Sequence, residues 1–208
     1  MSQFTKFETA DVRGYLHRPE TARGQGLVLT HGAGSNCTAP LLVAVANAFC
    51  DAGFLVLRCD LAFRQRRATG PPSPSTAAAD RAGLHAAVAA LREHDCGDIT
   101  LGGHSYGGRQ ASVLASDEPE IAARLLLLSY PLHPPAKPTQ LRTQHFARLA
   151  VPPVFVHGTS DPFGSIAELE AAMTIIPAKS RLVAIEGAGH DLKRGRFDLG
   201  PVIGAIIA

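Results

Sequence analysis

The chain has 208 residues, 46% of them apolar and 18% charged, with a formal net charge of +2. That composition supplies a continuous core and is too weakly charged for a disordered chain or for a protein that holds nucleic acid by electrostatic attraction. Trp is absent and only three Tyr occur, so a stacking platform for single strands is not expected either.

Residues 5–7 and 12–17 read as an antiparallel edge. Residues 26–30 (GLVLT), 54–59 (FLVLRC), 99–101, 125–129 and 154–157 are short β-rich runs without polar alternation, the pattern of strands covered on both faces. Residues 182–185 make a further strand candidate. Between them, residues 40–52 read as a helix stopped by Gly53. In the 76–94 stretch, Leu84, Ala87, Val88 and Leu91 fall on one helical face. Residues 107–115, 165–175 and 198–207 complete the helices. Strands alternating with helices predict right-handed crossovers and an α/β fold, a mostly parallel doubly wound sheet with helices on both faces. The Pro-rich residues 70–75 are too short to link domains. Residues 131–150, with four prolines and a short helical stretch, are too small for a cap domain. A single domain over 1–208 is the expectation.

Cys37, Cys50, Cys59 and Cys96 form no C-x-x-C pair and read as thiols in a reducing compartment. Met1–Lys6 lacks a signal peptide's apolar stretch, and the longest apolar runs, 125–128 and 202–208, fall short of the ~18 residues of a membrane helix. The expected location is the cytoplasm, without membrane contact.

The chemistry concentrates at Gly103-His104-Ser105-Tyr106-Gly107, which follows a strand and opens a helix. A serine on such a sharp turn has a strained backbone and an exposed hydroxyl, and needs small residues two positions to either side. A Gly-rich turn that merely packs helix on sheet predicts nothing further along the chain. A catalytic serine requires an acid after a later strand and then a histidine after the last one. Asp161 follows the 154–157 strand within GTSDP, and His190 follows the 182–185 strand within EGAGH. Ser105 is then the nucleophile, His190 its base, and Asp161 the group that orients the imidazole. Asp191 is a poorer acid, because a sequence neighbour rarely reaches around the same ring.

The oxyanion formed on attack needs preorganised donors. The N–H of Tyr106 is one. The second is assigned to Ala33, with Gly34 as fallback, in the His31–Ser35 loop (HGAGS). Gly32-Ala33-Gly34 also begins a dinucleotide-binding G-x-G-x-x-G, supported by Asp60, but Cys37 occupies the third glycine position. Nine scattered histidines without H-E-x-x-H point to no metal, and no cofactor is expected. His31 is read as a brace for its own loop and His104 as a filler. Arg58, Arg64, Arg66 and Arg67 either receive an anionic substrate or pair with nearby acids and hold the 70–75 loop. Tyr130, Pro131 and His133 either line the same mouth or pack a loop.

With elbow, triad and HGAGS loop in place, the chain resembles the α/β-hydrolases over nearly its full length. Within them it is most similar to the small, capless, dienelactone-hydrolase-like branch. The likeness is closest to testis-expressed-protein-like members and to the hydrolase-like region of a nonspecific-lethal-complex subunit. It rests on HGAGS (31–35), RQRRATGPPSPS (64–75), GGHSYGGR (102–109), SYPLHPPAKP (129–138), LRTQHF (141–146), HGTSDPFG (157–164) and GAGHDLK (187–193). The resemblance implies Ser105, Asp161 and His190 in the same roles. Dienelactone hydrolases proper carry cysteine at the elbow, where this chain has Ser105. The expected partner is a small ester or thioester, anionic if the arginines face the crevice. The alternatives are a hydrolase-shaped interaction module and a peptidase.

Overall fold

The computed structural model describes residues 4–94 and 96–208. The first three residues of the Met1–Lys6 stretch lie outside the described residues. Eight strands form one sheet: β1 (Phe4–Glu8), β2 (Arg13–His17), β3 (Gln25–Thr30), β4 (Leu55–Cys59), β5 (Asp98–His104), β6 (Arg124–Leu128), β7 (Pro153–Gly158) and β8 (Arg181–Ile185), in the order β1-β2-β4-β3-β5-β6-β7-β8. β1 and β2 are the antiparallel edge, and every pairing from β4 to β8 is parallel.

The helices are α1 (Pro40–Asp51), α2 (Ala62–Arg66), α3 (Ala77–Arg92), α4 (Tyr106–Asp117), α5 (Ile166–Met173) and α6 (Gly200–Ile207). Alternate side chains of each central strand point to opposite faces. Leu57, Leu101, Leu127 and Phe155 pack on the side of α3, α4 and α5, with Leu84, Val88, Leu114 and Leu169. Leu29, Val56, Leu126 and Val156 pack on the side of α1 and α6, with Leu42, Val45, Phe49 and Ile206. Two covered faces explain why these strands are largely apolar on both sides, with Thr30, Arg58, Thr100 and His157 as buried polar exceptions. Each fully buried leucine contributes roughly 1.5–3 kcal/mol, so the central strands anchor the loops at their ends. At the α5 start, Ser165 and Glu168 cap each other reciprocally, the Glu168 N–H reaching Ser165 Oγ at 3.3 Å and the Ser165 N–H reaching Glu168 Oε2 at 2.8 Å.

One local feature differs from the sequence reading. The five-residue α2 was not foreseen; it lacks a helical repeat and exists because Phe63 and Arg64 are both buried beneath it. Among the described residues, 131–150 hold only one 3₁₀ turn, Phe146–Arg148, and no cap domain is inserted. Cys37, Cys50 and Cys59 are buried thiols. No helix of the described residues is long and apolar enough to cross a membrane.

Candidate active site

The parallel strands all end at one edge of the sheet, and the loops leaving that edge converge. β5 runs into Ser105, whose backbone sits at φ +51°, ψ −116°, and α4 starts at the next residue. A non-glycine residue at positive φ is strained. The Ser105 N–H is held by the carbonyl of Leu128 at the end of the neighbouring strand, at 2.8 Å. The flanking glycines are forced by crowding. A Cβ on Gly107 would sit 2.5 Å from the His31 carbonyl oxygen, and one on Gly103 2.9 Å from atoms of Gly107, Gly108 and Thr30. The turn exists because nothing larger than hydrogen fits beside it.

His190 Nε2 lies 2.8 Å from Ser105 Oγ. Its Nδ1 lies 2.8 Å from Asp161 Oδ2 and 3.0 Å from Oδ1. Asp161 also accepts the Phe163 N–H at 2.9 Å. Burial pushes the Asp161 carboxyl up, but the hydrogen bond and charge of His190, together with the Phe163 N–H, hold it below its ordinary value. The carboxylate is therefore ionised at neutral pH, which fixes the proton of His190 on Nδ1 and leaves Nε2 as acceptor for the serine hydroxyl. The Phe163 ring lies over the imidazole, 4.2 Å between centroids. Asp191 points elsewhere: it is exposed, accepts the Lys193 N–H at 3.1 Å and pairs with Arg194 at 3.6 Å.

Backbone bonds stitch the loops that carry Asp161 and His190. Ser160 N–H reaches the Ala188 carbonyl at 2.9 Å, and Gly187 N–H reaches Thr159 Oγ1 at 2.9 Å. His104, read from sequence as a filler, belongs to this brace. Its Nε2–H donates to the His190 carbonyl at 2.7 Å, and its ring packs beside His190 at 5.1 Å. Burial depresses the His104 pKa to about 4, so the ring is neutral and serves as a fixed donor.

Tyr106 is the first residue of α4, so no helical carbonyl precedes it to accept its N–H. Its phenol donates to the fully buried Asp80 at 2.8 Å, and Asp80 also accepts the Phe63 N–H at 2.9 Å. Burial first, and the carboxylate second, raise the Tyr106 pKa and keep the phenol protonated. Asp80 went unnoticed in the sequence: it stands inside an amphipathic helix, and only the fold shows that it faces inward. Ala33, Ser105 and Tyr106 line one cavity of about 400 Å³, whose wall is more apolar than polar through residues such as Pro72, Pro74 and Phe163. Gly34 is not in that wall.

The Alpha/beta hydrolase domain family matches residues 23–198. The chain belongs to the α/β-hydrolase family. Among solved structures this α/β-hydrolase is similar to an α/β serine hydrolase homologue from Coxiella burnetii, at 19% identity and a TM-score of 0.73 over 100% of this chain and 99% of that one. It is also similar to a dienelactone hydrolase from Anabaena variabilis, at 23% identity and a TM-score of 0.69 over 99% of this chain and 93% of that one. A third likeness is to a serine hydrolase without lid from Xanthomonas campestris, at 15% identity and a TM-score of 0.71 over 99% and 91%. All three share the fold.

Of the residues suggested as substrate contacts, Pro131 lines the Ser105 cavity, whereas Arg64, Arg67, Tyr130 and His133 are placed elsewhere. Arg64 is 4% exposed and absent from the wall of the Ser105 cavity. It donates to the carbonyls of Ser35 (2.7 Å), Ala33 (3.0 Å), Ala68 (2.7 Å), Arg67 (3.3 Å) and Gly70 (3.1 Å). It ties the HGAGS loop to residues 67–70 through carbonyls, without an acid partner among the described residues. Arg67 donates to the Pro71 carbonyl and also stays out of the cavity. Tyr130 is fully buried among Phe146 and Phe155, with its hydroxyl on the Arg142 carbonyl at 2.6 Å. His133 is 4% exposed, within 3.6 Å of Glu168 at the α5 cap. Both pack loops. Arg109 and Arg142 are the arginines in the cavity wall, and neither was singled out as a substrate contact. Asp60, the one support for a dinucleotide site, instead accepts the Cys37 N–H at 2.8 Å and pairs with Arg13 at 3.1 Å.

Proposed function

We propose that this α/β-hydrolase is a serine hydrolase that cleaves small esters or thioesters through an acyl-enzyme. The observation that carries the reading is the continuous hydrogen-bonded relay Ser105–His190–Asp161, at 2.8 Å across each junction, on a serine held at positive φ. A purely structural turn needs neither the strain nor the relay. His190 takes the Ser105 proton as Oγ attacks the acyl carbon, and Asp161 stabilises the imidazolium. The N–H groups of Tyr106 and Ala33 stabilise the oxyanion, each worth about 10²–10³ in rate. The imidazolium then protonates the leaving alkoxide or thiolate. Water, deprotonated by the same imidazole, releases the acid and restores Ser105. The cavity, with no cap over it among the described residues, favours small acyl substrates. We place the chain in the capless dienelactone-hydrolase-like branch, with its testis-expressed-protein-like members, on the motifs already given. An alkyl fluorophosphonate is expected to label Ser105, and Ser105→Ala to abolish the labelling. A folded wild-type protein that stays unlabelled overturns the proposal.

A further inference from the structure

Arg109 and Arg142 come to the Ser105 cavity from different parts of the chain. Arg109 lies one turn into α4, its N–H donating to the Ser105 carbonyl at 3.0 Å, and its side chain lines the same cavity as Ser105. Arg142 belongs to the segment after β6. Its N–H donates to the Leu132 carbonyl at 2.8 Å, its carbonyl accepts the Tyr130 hydroxyl at 2.6 Å, and its Nη1 reaches the Pro131 carbonyl at 3.2 Å.

Among the described residues neither guanidinium has a carboxylate within ion-pair distance. Arg109 Nε is buried with no acceptor. The buried carboxylate of Asp80, beyond Tyr106, is already taken by Tyr106 and Phe63. Burial, and then the charge of the nearby Arg109, both lower the pKa of Arg142, and both arginines line the Ser105 cavity. Beside them in the wall, Gln110 has its oxygen held by Arg81 at 3.0 Å, which leaves its amide N–H₂ as the group it can offer. Two guanidinium groups and an amide donor, with no carboxylate to neutralise the cations, make a wall whose charge and hydrogen-bonding favour an anion.

We infer that Arg109 and Arg142 form an anion subsite for a carboxylate carried on the acyl chain of the substrate, a short aliphatic length from the carbonyl that Ser105 attacks. A guanidinium fork matches the two carboxylate oxygens, and the apolar wall between accepts the methylenes. The favoured substrates are thus monoesters or monothioesters of short dicarboxylic acids. The inference rests on the serine-hydrolase reading of the same site and adds the substrate class.

The test compares kcat/KM for 4-nitrophenyl hydrogen adipate with that for 4-nitrophenyl hexanoate, which has the same chain length without the charge, each corrected for spontaneous hydrolysis. The wild-type protein is expected to prefer the adipate by about tenfold or more at low salt, with the preference falling as NaCl screens the charges. Arg142→Gln and Arg109→Gln are each expected to lower the adipate-to-hexanoate ratio by about tenfold. Because Arg142 also braces Pro131, the wild-type ratio and its salt dependence stand as measurements that need no variant. Equal or better turnover of the hexanoate by wild type, or a ratio unchanged in both variants, overturns the subsite and leaves the hydrolase intact. If neither ester turns over and Ser105 resists the fluorophosphonate, the hydrolase reading falls and this inference with it.

Discussion

Asp161→Asn removes one charge and almost no volume, so it isolates what the carboxylate does for the imidazole. In the native site Asp161 Oδ1 accepts the Phe163 N–H at 2.9 Å while Oδ2 faces His190 Nδ1 at 2.8 Å. An asparagine keeps the first bond by turning its oxygen to Phe163, which puts its N–H₂ against His190 Nδ1. That nitrogen must then accept, the ring proton moves to Nε2, and Ser105 Oγ meets a donor where it needs a base. A tautomer error of this kind lowers kcat by about 10⁴, or about 5.5 kcal/mol at 1.36 kcal/mol per tenfold. Steady-state hydrolysis of a 4-nitrophenyl ester near pH 7.5 reads the loss directly. The companion variant Asp191→Asn changes an exposed carboxylate bonded only to its own turn, and activity is expected to stay within about twofold. If Asp161→Asn keeps more than a tenth of wild-type kcat, or if Asp191→Asn is the variant that collapses, the assignment of the acid is wrong.

Other perturbations address the scaffold. Burial, aided by neighbouring arginines, depresses the pKa of His17 and of His145 to about 4, as burial does for His104. The unfolded chain binds protons at these positions from about pH 6.5 downward, so stability rises with pH between about 4 and 6.5 and is lost as pH falls through that window. Each histidine contributes a slope of up to about 1.4 kcal/mol per pH unit. Urea midpoints measured from pH 7 to 4.5 are expected to fall, and to fall less in His17→Gln, which keeps an acceptor for Arg58; a flat profile contradicts the assignment. Gly107→Ala places its methyl carbon 2.5 Å from the His31 carbonyl oxygen and is expected to destabilise by about 1–3 kcal/mol with loss of activity. Gly34→Ala meets nothing within 4 Å and is expected to be neutral, both read by thermal melting. Arg64→Lys replaces a fork that reaches five carbonyls with a single ammonium, and is expected to lower both melting temperature and kcat although the charge is conserved.

The sequence made the sheet legible because a strand buried on both faces is largely apolar without polar alternation, a pattern that survives without knowledge of its partners. The elbow and the two later loops were legible because steric crowding restricts them to glycine and to polar residues at set places. The arginines were not. Whether Arg64 reaches outward to substrate or inward to carbonyls depends on α2, a turn too short to show a helical repeat. Arg109 was hidden inside a helix, and Arg142 in a segment without regular structure, so only the fold brings them to one wall. His104 looked replaceable since its partner is a backbone carbonyl 86 residues away, and a carbonyl leaves no mark on sequence.

Backbone partners likewise account for the donors gathered around the HGAGS loop. Its peptides are trans, so in the Gly32–Ala33 peptide the C=O and the N–H point in opposite directions. His31 Nδ1–H and the Ser35 N–H both donate to the Gly32 carbonyl, at 2.9 and 3.1 Å. Pinning that oxygen pins the Ala33 N–H on the other side. His31 can do this because its Nε2 accepts the Leu61 N–H at 3.1 Å, which leaves the ring proton on Nδ1, and because burial lowers its pKa and keeps the ring neutral. Arg64 then holds the next carbonyl, Ala33, at 3.0 Å, which prevents the following peptide from rotating back. A hydrogen-bond donor that must meet charge only in a transition state gains most when it cannot reorient in the ground state. In the proposed mechanism the buried His31 and Arg64 thus act through the backbone between them, by keeping the Ala33 N–H stiff.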